Sequence, residues 1–228
     1  MNLLFFLYKL HNSKQLIVLF LYLKTILCFG DSLTWGYNPK DGTRYPYEQT
    51  WPGILQEALG AGYRVIAEAI YARTTCWELP YVPFRSGKDF LPVVLEAHSP
   101  LDLVIIMLGL NDLMKLCGKN ADESAWGLLA LTRIIQSPVF GGIPPKILII
   151  APPVLGKLSP FMEMAYGGME EESKKLASRY KIIAETALCE FLDSNEFIHV
   201  SAVDGVHPLP DQYKILGEAI ADKVKQLL

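Results

Sequence analysis

The stretch FGDSLTWG at residues 29–36 continues a short apolar run, TILCF, at residues 25–29. An apolar and partly β-branched run of this length predicts a buried strand. Gly30 would then let the chain turn, which places Ser32 just past the carboxyl end of that strand. In an open α/β sheet, ligands bind at that edge. Ser32 is therefore a candidate nucleophile, provided that later residues supply a base and an oxyanion site.

The composition limits the class of protein. The chain has 228 residues, 51% of them hydrophobic, which is enough for one well-cored domain or at most two small ones. A formal net charge of −3 and the lack of a Lys/Arg cluster argue against nucleic acid as a partner. The four cysteines have no CxxC pair and no zinc-type spacing with histidine, so we read them as small core residues in a reducing compartment.

Two apolar runs, residues 3–8 and 16–23, precede the first predicted strand of the domain. Neither has the roughly 18 to 20 residues that span a bilayer, and no small-residue cleavage site follows them. Three interpretations stay open: an uncleaved membrane-associating leader, an extra helix packed on the domain, or a start codon placed too far upstream. We divide the chain into an apolar leader or extension, residues 1–23, and one domain, residues 24–228. We expect a cytoplasmic location, with membrane association or export through the N-terminus as the alternative.

Strand-like and helix-like segments alternate over the rest of the chain. Further strands are predicted at residues 63–68, 101–108, 146–151 and 189–192, and helices at residues 51–59, 122–135, 170–187 and 212–228. Such alternation implies right-handed βαβ units and a parallel sheet covered on both faces. We predict an α/β fold, a three-layer α/β/α sandwich with about five parallel strands. Residues 37–50 and 76–91 exceed ordinary connections and are expected to wall a pocket or an interface.

A candidate base lies near the end of the chain, in the sequence DGVHP at residues 204–208. The three-residue spacing lets the carboxylate of Asp204 reach Nδ1 of His207. Nε2 is then free to deprotonate the Ser32 hydroxyl. The alternative is an aspartate and a histidine that cap an ordinary turn before a helix.

A candidate oxyanion donor lies in GLND, residues 109–112, after the most apolar predicted strand. The side-chain NH2 of Asn111 would lie at the same sheet edge as Ser32 and could donate to a developing negative charge. The alternative is an ordinary Asn-Asp turn. Asp112 is less suited than Asp204 to orient the histidine, because Asp204 has the better spacing.

The three motifs, GDSL at residues 30–33, GLND at 109–112 and DGVH at 204–207, resemble those of the SGNH hydrolases, also called the GDSL esterase/lipase family. The resemblance covers roughly residues 24–228. It implies the flavodoxin-like SGNH hydrolase fold and a serine esterase activity. The sequence has no phosphate-binding, dinucleotide-binding or metal-ligand motif, so we expect no cofactor and no metal.

The resemblance also implies a role for each matching residue. Ser32 would attack the ester carbonyl, with His207 as general base and Asp204 orienting it. The backbone N–H groups of Ser32 and Ala72 and the side chain of Asn111 would hold the oxyanion. Ala72 departs from the family, which usually has glycine there, but its N–H can donate equally well if the local dihedrals suit.

Two neighbouring residues have structural roles in this interpretation. Asp31 is expected to shape the turn through its own hydrogen bonds rather than to carry protons. Arg73 is expected to pair with a local acid and hold its loop.

The sequence ARTT at residues 72–75, with Gly36 and the strand at 102–108, is similar to the bacterial arylesterase/acyltransferase subgroup. That subgroup hydrolyses small aryl and alkyl esters, and some members transfer acyl groups to alcohols or hydrogen peroxide. We therefore expect a short-acyl ester hydrolase, with acyltransferase or perhydrolase activity as an addition. Carbohydrate acetylesterase, lysophospholipase and thioesterase activities are the alternatives within the family, and a non-catalytic binding module is the alternative outside it.

Aromatic residues suggest a substrate pocket and a contact surface. Trp35 and Tyr37 are candidates for lining a small apolar pocket, and the alternative is that they only fill the core or an interface. The expected partners are a small ester with water or an alcohol as acceptor, and further copies of the chain. The aromatic-rich segment at residues 76–91 could carry the contact between copies.

Overall fold

The computed structural model describes residues 3–9, 16–138 and 142–228, with backbone only for 3–9 and 16–22. Strands β1 (Leu3–Lys9) and β2 (Leu16–Tyr22) pair antiparallel in a two-stranded sheet of their own. One interpretation placed an extra helix in residues 1–23, and it is wrong for residues 3–9 and 16–22, which form strands. Residues 1, 2 and 10–15 of that segment lie outside the described residues. The division of the chain at residue 24 stays a prediction.

Five parallel strands form the central sheet. They are β3 (Lys24–Gly30), β4 (Tyr63–Ala69), β5 (Leu103–Met107), β6 (Lys146–Ala151) and β7 (Glu190–Asp193). Their order in the sheet is β4-β3-β5-β6-β7, and each neighbouring pair is parallel. This is the flavodoxin-like order. The predicted α/β class, the parallel sheet and the number of strands are confirmed.

Seven α-helices connect and cover the strands of the described chain. They are α1 (Ser32–Trp35), α2 (Trp51–Leu59), α3 (Gly87–His98), α4 (Ala121–Ile135), α5 (Pro160–Tyr166), α6 (Glu170–Thr186) and α7 (Pro210–Leu227). Helix α2 packs against α7, while α4 packs against α3 and α6. None of the helices in the described residues is long and apolar enough to cross a bilayer.

The four predicted helices correspond to α2, α4, α6 and α7 and agree with them to within two residues at each end, but α1, α3 and α5 were missed. Helix α3 begins inside the segment at 76–91, which was read as a connection, and it contains Pro92. Helix α5 begins at Pro160 and has only seven residues. Proline at a first helical position is well tolerated, but in a short segment it resembles a turn signal.

The three central strands, β3, β5 and β6, are apolar over most of their length because helices cover both of their faces. Every residue of β5 is buried, and so are residues 26–29 of β3. Gly30 of β3 pairs with Met107 of β5 on one side and with Ala69 of β4 on the other. The loops that leave β3, β4 and β5 therefore meet at one edge of the sheet. This edge is the topological switch point, where the connections from β3 and β5 run in opposite directions.

The turn after β3 is made by Asp31 rather than by Gly30. Gly30 has no positive φ, and a Cβ added to it would lie 2.0 Å from Oγ1 of Thr34. Glycine is needed there to admit Thr34, so the predicted turning role was wrong. The Leu33 N–H donates to Oδ1 of Asp31 at 2.9 Å, which caps α1. The turn-shaping role predicted for Asp31 is confirmed.

Candidate active site

Ser32, His207 and Asp204 form one continuous chain of hydrogen bonds. Nδ1 of His207 lies 2.6 Å from Oδ2 of Asp204, and Nε2 lies 2.9 Å from Oγ of Ser32. Because an ionised aspartate only accepts hydrogen bonds, Nδ1–H is the donor and Nε2 is left to accept from the serine hydroxyl. All three residues are buried, and Ser32 is 7% exposed. The structure brings together the three residues that the sequence selected.

The carboxylate of Asp204 is held from two directions. The backbone N–H groups of Val206 and His207 donate to its Oδ1, each at 2.9 Å, while Oδ2 faces the imidazole. Burial disfavours the charged form, but the hydrogen bonds and charge of His207, together with these N–H groups, lower the pKa of Asp204 below its ordinary value. The aspartate therefore stays charged, and a charged carboxylate at Nδ1 can stabilise an imidazolium.

Two backbone N–H groups at this edge of the sheet are free to donate to a ligand. Neither the Ser32 N–H nor the Ala72 N–H has a hydrogen-bond partner among the described protein groups. Ala72 has φ = 60°, in the left-handed region where glycine is common and alanine is strained. The chain thus adopts at Ala72 the conformation that the family's glycine favours.

The side chain of Asn111 lies at the same edge, but its amide is already occupied. Nδ2 donates to Oδ2 of Asp31 and to the carbonyl of Arg73, each at 2.9 Å. Oδ1 accepts a hydrogen bond from the Tyr166 hydroxyl at 2.6 Å. An amide NH2 has only two hydrogens, so donation to an oxyanion requires one of these bonds to bend or break.

The two aromatic residues proposed to line a pocket have different neighbours. The ring of Tyr37 lies against the imidazole of His207, with the ring centroids 4.4 Å apart. Trp35 packs edge-on against Tyr71 at 6.4 Å, and the Arg44 guanidinium lies 5.3 Å from its ring centre. Tyr37 therefore contacts the imidazole of His207 directly, whereas Trp35 packs against Tyr71, next to Ala72, and against Arg44.

Comparison with known proteins identifies the family. The GDSL-like lipase/acylhydrolase family matches residues 28–215. The chain belongs to this family. An arylesterase of Vibrio mimicus is 28% identical over 202 residues, which cover 87% of either chain.

Two solved structures of family members are similar over almost the whole domain. Est24, a carbohydrate acetylesterase from Sinorhizobium meliloti, is 40% identical with a TM-score of 0.87. The aryl esterase of M. smegmatis is 36% identical with a TM-score of 0.86. Each match covers 90% of this chain and 100% of the other. The chain is thus a carboxylic ester hydrolase of the SGNH type, as the sequence predicted.

Arg73 holds the site of this family member through backbone groups rather than through an acid. Its NH1 donates to the carbonyls of Gly30 at 3.0 Å and Glu68 at 2.6 Å, and its guanidinium lies 4.2 Å from the ring centre of Phe29. Burial lowers the pKa of Arg73 to about 10, which leaves it charged at neutral pH. The expected ion pair was wrong. The side chain instead ties the ends of β3 and β4 together.

Two buried carboxyl groups, those of Asp31 and Asp112, lie at the same edge of the sheet as Ser32. Burial raises the pKa of Asp31 to about 7 and that of Asp112 to about 6. Asp112 accepts hydrogen bonds from the N–H of Thr75 at 2.8 Å and from its hydroxyl at 2.5 Å. Asp112 therefore fixes the loop that follows Ala72 and makes no contact with His207.

Sequence reasoning missed two residues that contact the site. Tyr166 reaches Asn111 from α5, a helix that the sequence did not reveal, so no pattern placed it near the motifs. The threonine at position 75 was quoted only as part of the ARTT motif. Its hydroxyl and its N–H both donate to Asp112. The available signal was a hydroxyl side chain three residues after Ala72.

Replacing Ala72 by glycine should relieve the strain of its positive φ while keeping the backbone N–H. The free energy of unfolding should rise by up to about 1 kcal/mol, and most esterase activity should remain. Urea unfolding and hydrolysis of p-nitrophenyl acetate measure the two effects. Ala69→Gly is the matched control, because Ala69 lies nearby in β4 without a positive φ and should lose stability. Equal losses in the two variants would show that Ala72 is not strained.

Replacing Asp112 by asparagine should remove one source of pH-dependent stability. The raised pKa means that the folded protein binds a proton more tightly than the unfolded chain, so stability is lost as pH rises from about 4 through about 6. Asparagine keeps the acceptor for the Thr75 N–H and offers the Thr75 hydroxyl a donor. Relative to wild type, the variant should therefore gain stability on the order of 2 kcal/mol between pH 4 and 8.

Urea unfolding at a series of pH values tests this expectation. The exposed Asp222 of α7 supplies the control, because Asp222→Asn makes the same chemical change at a solvated side chain. A stability difference between Asp112→Asn and wild type that does not change with pH would contradict the raised pKa.

Proposed function

We propose that the chain is a serine esterase that cleaves small carboxylic esters with short acyl groups through an acyl-enzyme. The single observation that carries this proposal is the hydrogen-bond chain from Asp204 through His207 to Ser32, with links of 2.6 and 2.9 Å. Nucleophile, base and orienting acid each have a partner within the distance at which protons transfer.

The first half of the reaction forms the acyl-enzyme. Oγ of Ser32 attacks the carbonyl carbon of the ester, and Nε2 of His207 takes the hydroxyl proton. Asp204 stabilises the imidazolium through its bond to Nδ1–H. When the tetrahedral intermediate collapses, His207 returns the proton to the leaving oxygen and the alcohol departs.

The oxygen of the tetrahedral intermediate carries a negative charge that needs donors. The free N–H groups of Ser32 and Ala72 are two such donors, and the side-chain NH2 of Asn111 is the third. In the best-studied case, one such donor is worth about 3 to 4 kcal/mol of transition-state stabilisation. Because the N–H groups are part of a buried backbone, little reorganisation is needed when the charge develops.

The second half of the reaction releases the acyl group. Water or an alcohol attacks the acyl carbon, His207 accepts its proton, and Ser32 is regenerated. The site favours transfer to alcohols as well as hydrolysis, because the Tyr37 ring beside His207 offers an alcohol an apolar face. Acyltransferase activity, including transfer to hydrogen peroxide, is therefore part of the proposal.

The burial of Ser32 supports a short acyl group in the substrate. The nucleophile is 7% exposed, and the ring of Tyr37 covers one side of the base. A short acyl group fits such a site better than a long one. A second candidate, carbohydrate acetylesterase, is supported by the 40% identity to Est24, and it differs only in the alcohol part of the ester.

Location and assembly are also proposals. The four cysteines are free thiols, which supports a reducing compartment such as the cytoplasm. In the segment at residues 76–91, the side chains of Tyr81 and Phe84 are 51% and 67% exposed. These apolar surfaces support self-association of the chain through that segment.

Replacing Ser32 by alanine should abolish hydrolysis of p-nitrophenyl acetate, because no other group can form the acyl-enzyme. The expected fall in kcat is at least about 10³-fold, with the circular dichroism spectrum unchanged. Ser194→Ala is the matched control, since Ser194 is buried and its hydroxyl has no partner in the described chain. Wild-type activity in Ser32→Ala would refute the mechanism.

A panel of p-nitrophenyl esters tests the proposed size limit. We expect kcat/KM to fall at least about tenfold from acetate to octanoate, because each methylene that lacks a pocket loses binding energy. The fall should be smaller in Tyr37→Ala, which opens the side of the site next to His207. A preference for octanoate in the wild-type enzyme would contradict the small site.

The same panel, repeated with added butanol and with an acetylated sugar, separates the alternatives. Butyl acetate formed in water would support acyl transfer, and acetate as the sole product would exclude it under these conditions. Much faster release of acetate from the sugar than from phenyl acetate would favour the carbohydrate acetylesterase.

A further inference from the structure

All polar atoms of the Asn111 side chain have protein partners. The side chain is 3% exposed. Its Nδ2 faces two acceptors, Oδ2 of Asp31 and the carbonyl of Arg73, and its Oδ1 faces one donor, the Tyr166 hydroxyl. The two ends of an amide have nearly the same shape, so hydrogen bonds alone decide which end points in which direction.

Tyr166 is suited to hold the carbonyl end. It is the last residue of α5, it is 2% exposed, and its hydroxyl lies 2.6 Å from Oδ1 of Asn111. Burial raises the pKa of Tyr166 well above its ordinary value, so the hydroxyl keeps its proton and remains a donor. A buried tyrosine hydroxyl with a single acceptor at this distance makes a directional contact.

Helix α5 itself is attached to two parts of the site. At its N-terminal end, the Ser159 N–H donates to the carbonyl of Asp204 at 3.1 Å. At its other end, the Lys115 N–H donates to the carbonyl of Ala165 at 2.8 Å, and Lys115 Nζ reaches the carbonyl of Glu163. Helix α5 therefore bridges the loop of the orienting acid and the loop that follows Asn111.

We propose that Tyr166 is a positioning residue for the reaction: its hydroxyl anchors the carbonyl end of Asn111 and keeps the NH2 end aimed at the oxyanion. This inference rests on the proposed function, because it assigns a purpose to Asn111 only if an oxyanion forms beside Ser32.

The contact matters most in the transition state. In the resting protein, Asp31 and the Arg73 carbonyl also orient the amide, since a flipped Oδ1 would face two acceptors. When Nδ2 turns toward the oxyanion, at least one of these two bonds weakens. The hydroxyl of Tyr166 is then the contact that still fixes the opposite end of the amide. An interaction that grows in importance between ground state and transition state acts on kcat rather than on KM.

A double-mutant cycle tests the proposal with p-nitrophenyl acetate as substrate. Tyr166→Phe removes one oxygen atom and leaves the ring in place. It should lower kcat about tenfold, with KM changed less than twofold. Asn111→Ala should lower kcat more than Tyr166→Phe does. Adding Tyr166→Phe to Asn111→Ala should lower kcat no further, because the amide that it positions is gone.

Tyr213→Phe is the matched control for loss of a buried tyrosine hydroxyl. Tyr213 is fully buried in α7, and its hydroxyl has no partner in the described chain. Its kcat should stay within twofold of wild type. An unchanged kcat in Tyr166→Phe, or an equal fall in the presence and absence of Asn111, would overturn the positioning role.

A second variant covers the case in which Tyr166→Phe does not fold, which urea unfolding would reveal. Fluorotyrosine at position 166 keeps the ring and hydroxyl but makes the hydroxyl more acidic. It should change kcat in the wild-type background and not in Asn111→Ala. No effect in either background would overturn the proposal.

Ser32→Ala distinguishes failure of the esterase mechanism from failure of the positioning role of Tyr166. If that variant keeps full activity, the proposed esterase mechanism fails. If it is inactive while the cycle shows no coupling, only the role of Tyr166 fails.

Discussion

The arrangement of the site depends on the buried carboxylate of Asp31. One of its oxygens accepts the N–H of Leu33 and so fixes the first turn of α1, which carries Ser32. The other accepts a hydrogen from Asn111, which comes from the loop after β5. A single side chain therefore links the turn that carries Ser32 to the side chain of Asn111. The parallel register of β3 and β5 brings the two loops close, but this carboxylate connects them.

Burying a carboxylate is costly unless charges and donors compensate for the lost water. Around Asp31 the compensation is partial. The charge of Arg73 and the Leu33 N–H stabilise the ionised form, but burial outweighs them and the nearby Asp112 opposes them. The guanidinium of Arg73 donates its hydrogen bonds to the carbonyls of Gly30 and Glu68 instead. Arg73 thus holds the backbone at the ends of β3 and β4 and does not form a close ion pair with Asp31.

The sequence predicted the parts of the molecule that local patterns control. Apolar runs predicted the buried strands, and the three-residue spacing of Asp204 and His207 predicted their hydrogen bond, since residues within one turn have little freedom. The function of Gly30 was not predictable, because its need for space arises from Thr34 packing over the end of the strand. The hydrogen bonds of Arg73 were not predictable either, because their acceptors are backbone carbonyls, which every residue type has.

The parts that sequence patterns missed are those that depend on contacts between distant segments. Tyr166 lies 55 residues from Asn111 along the chain and reaches it from a seven-residue helix. That helix is held by backbone bonds to the loops of Asp204 and Asn111, so neither its periodicity nor its composition distinguishes it. Ala72 illustrates the same point from the other direction. The fold holds Ala72 at φ = 60°, a conformation that an alanine side chain disfavours, so the residue type does not reveal the backbone geometry at this position.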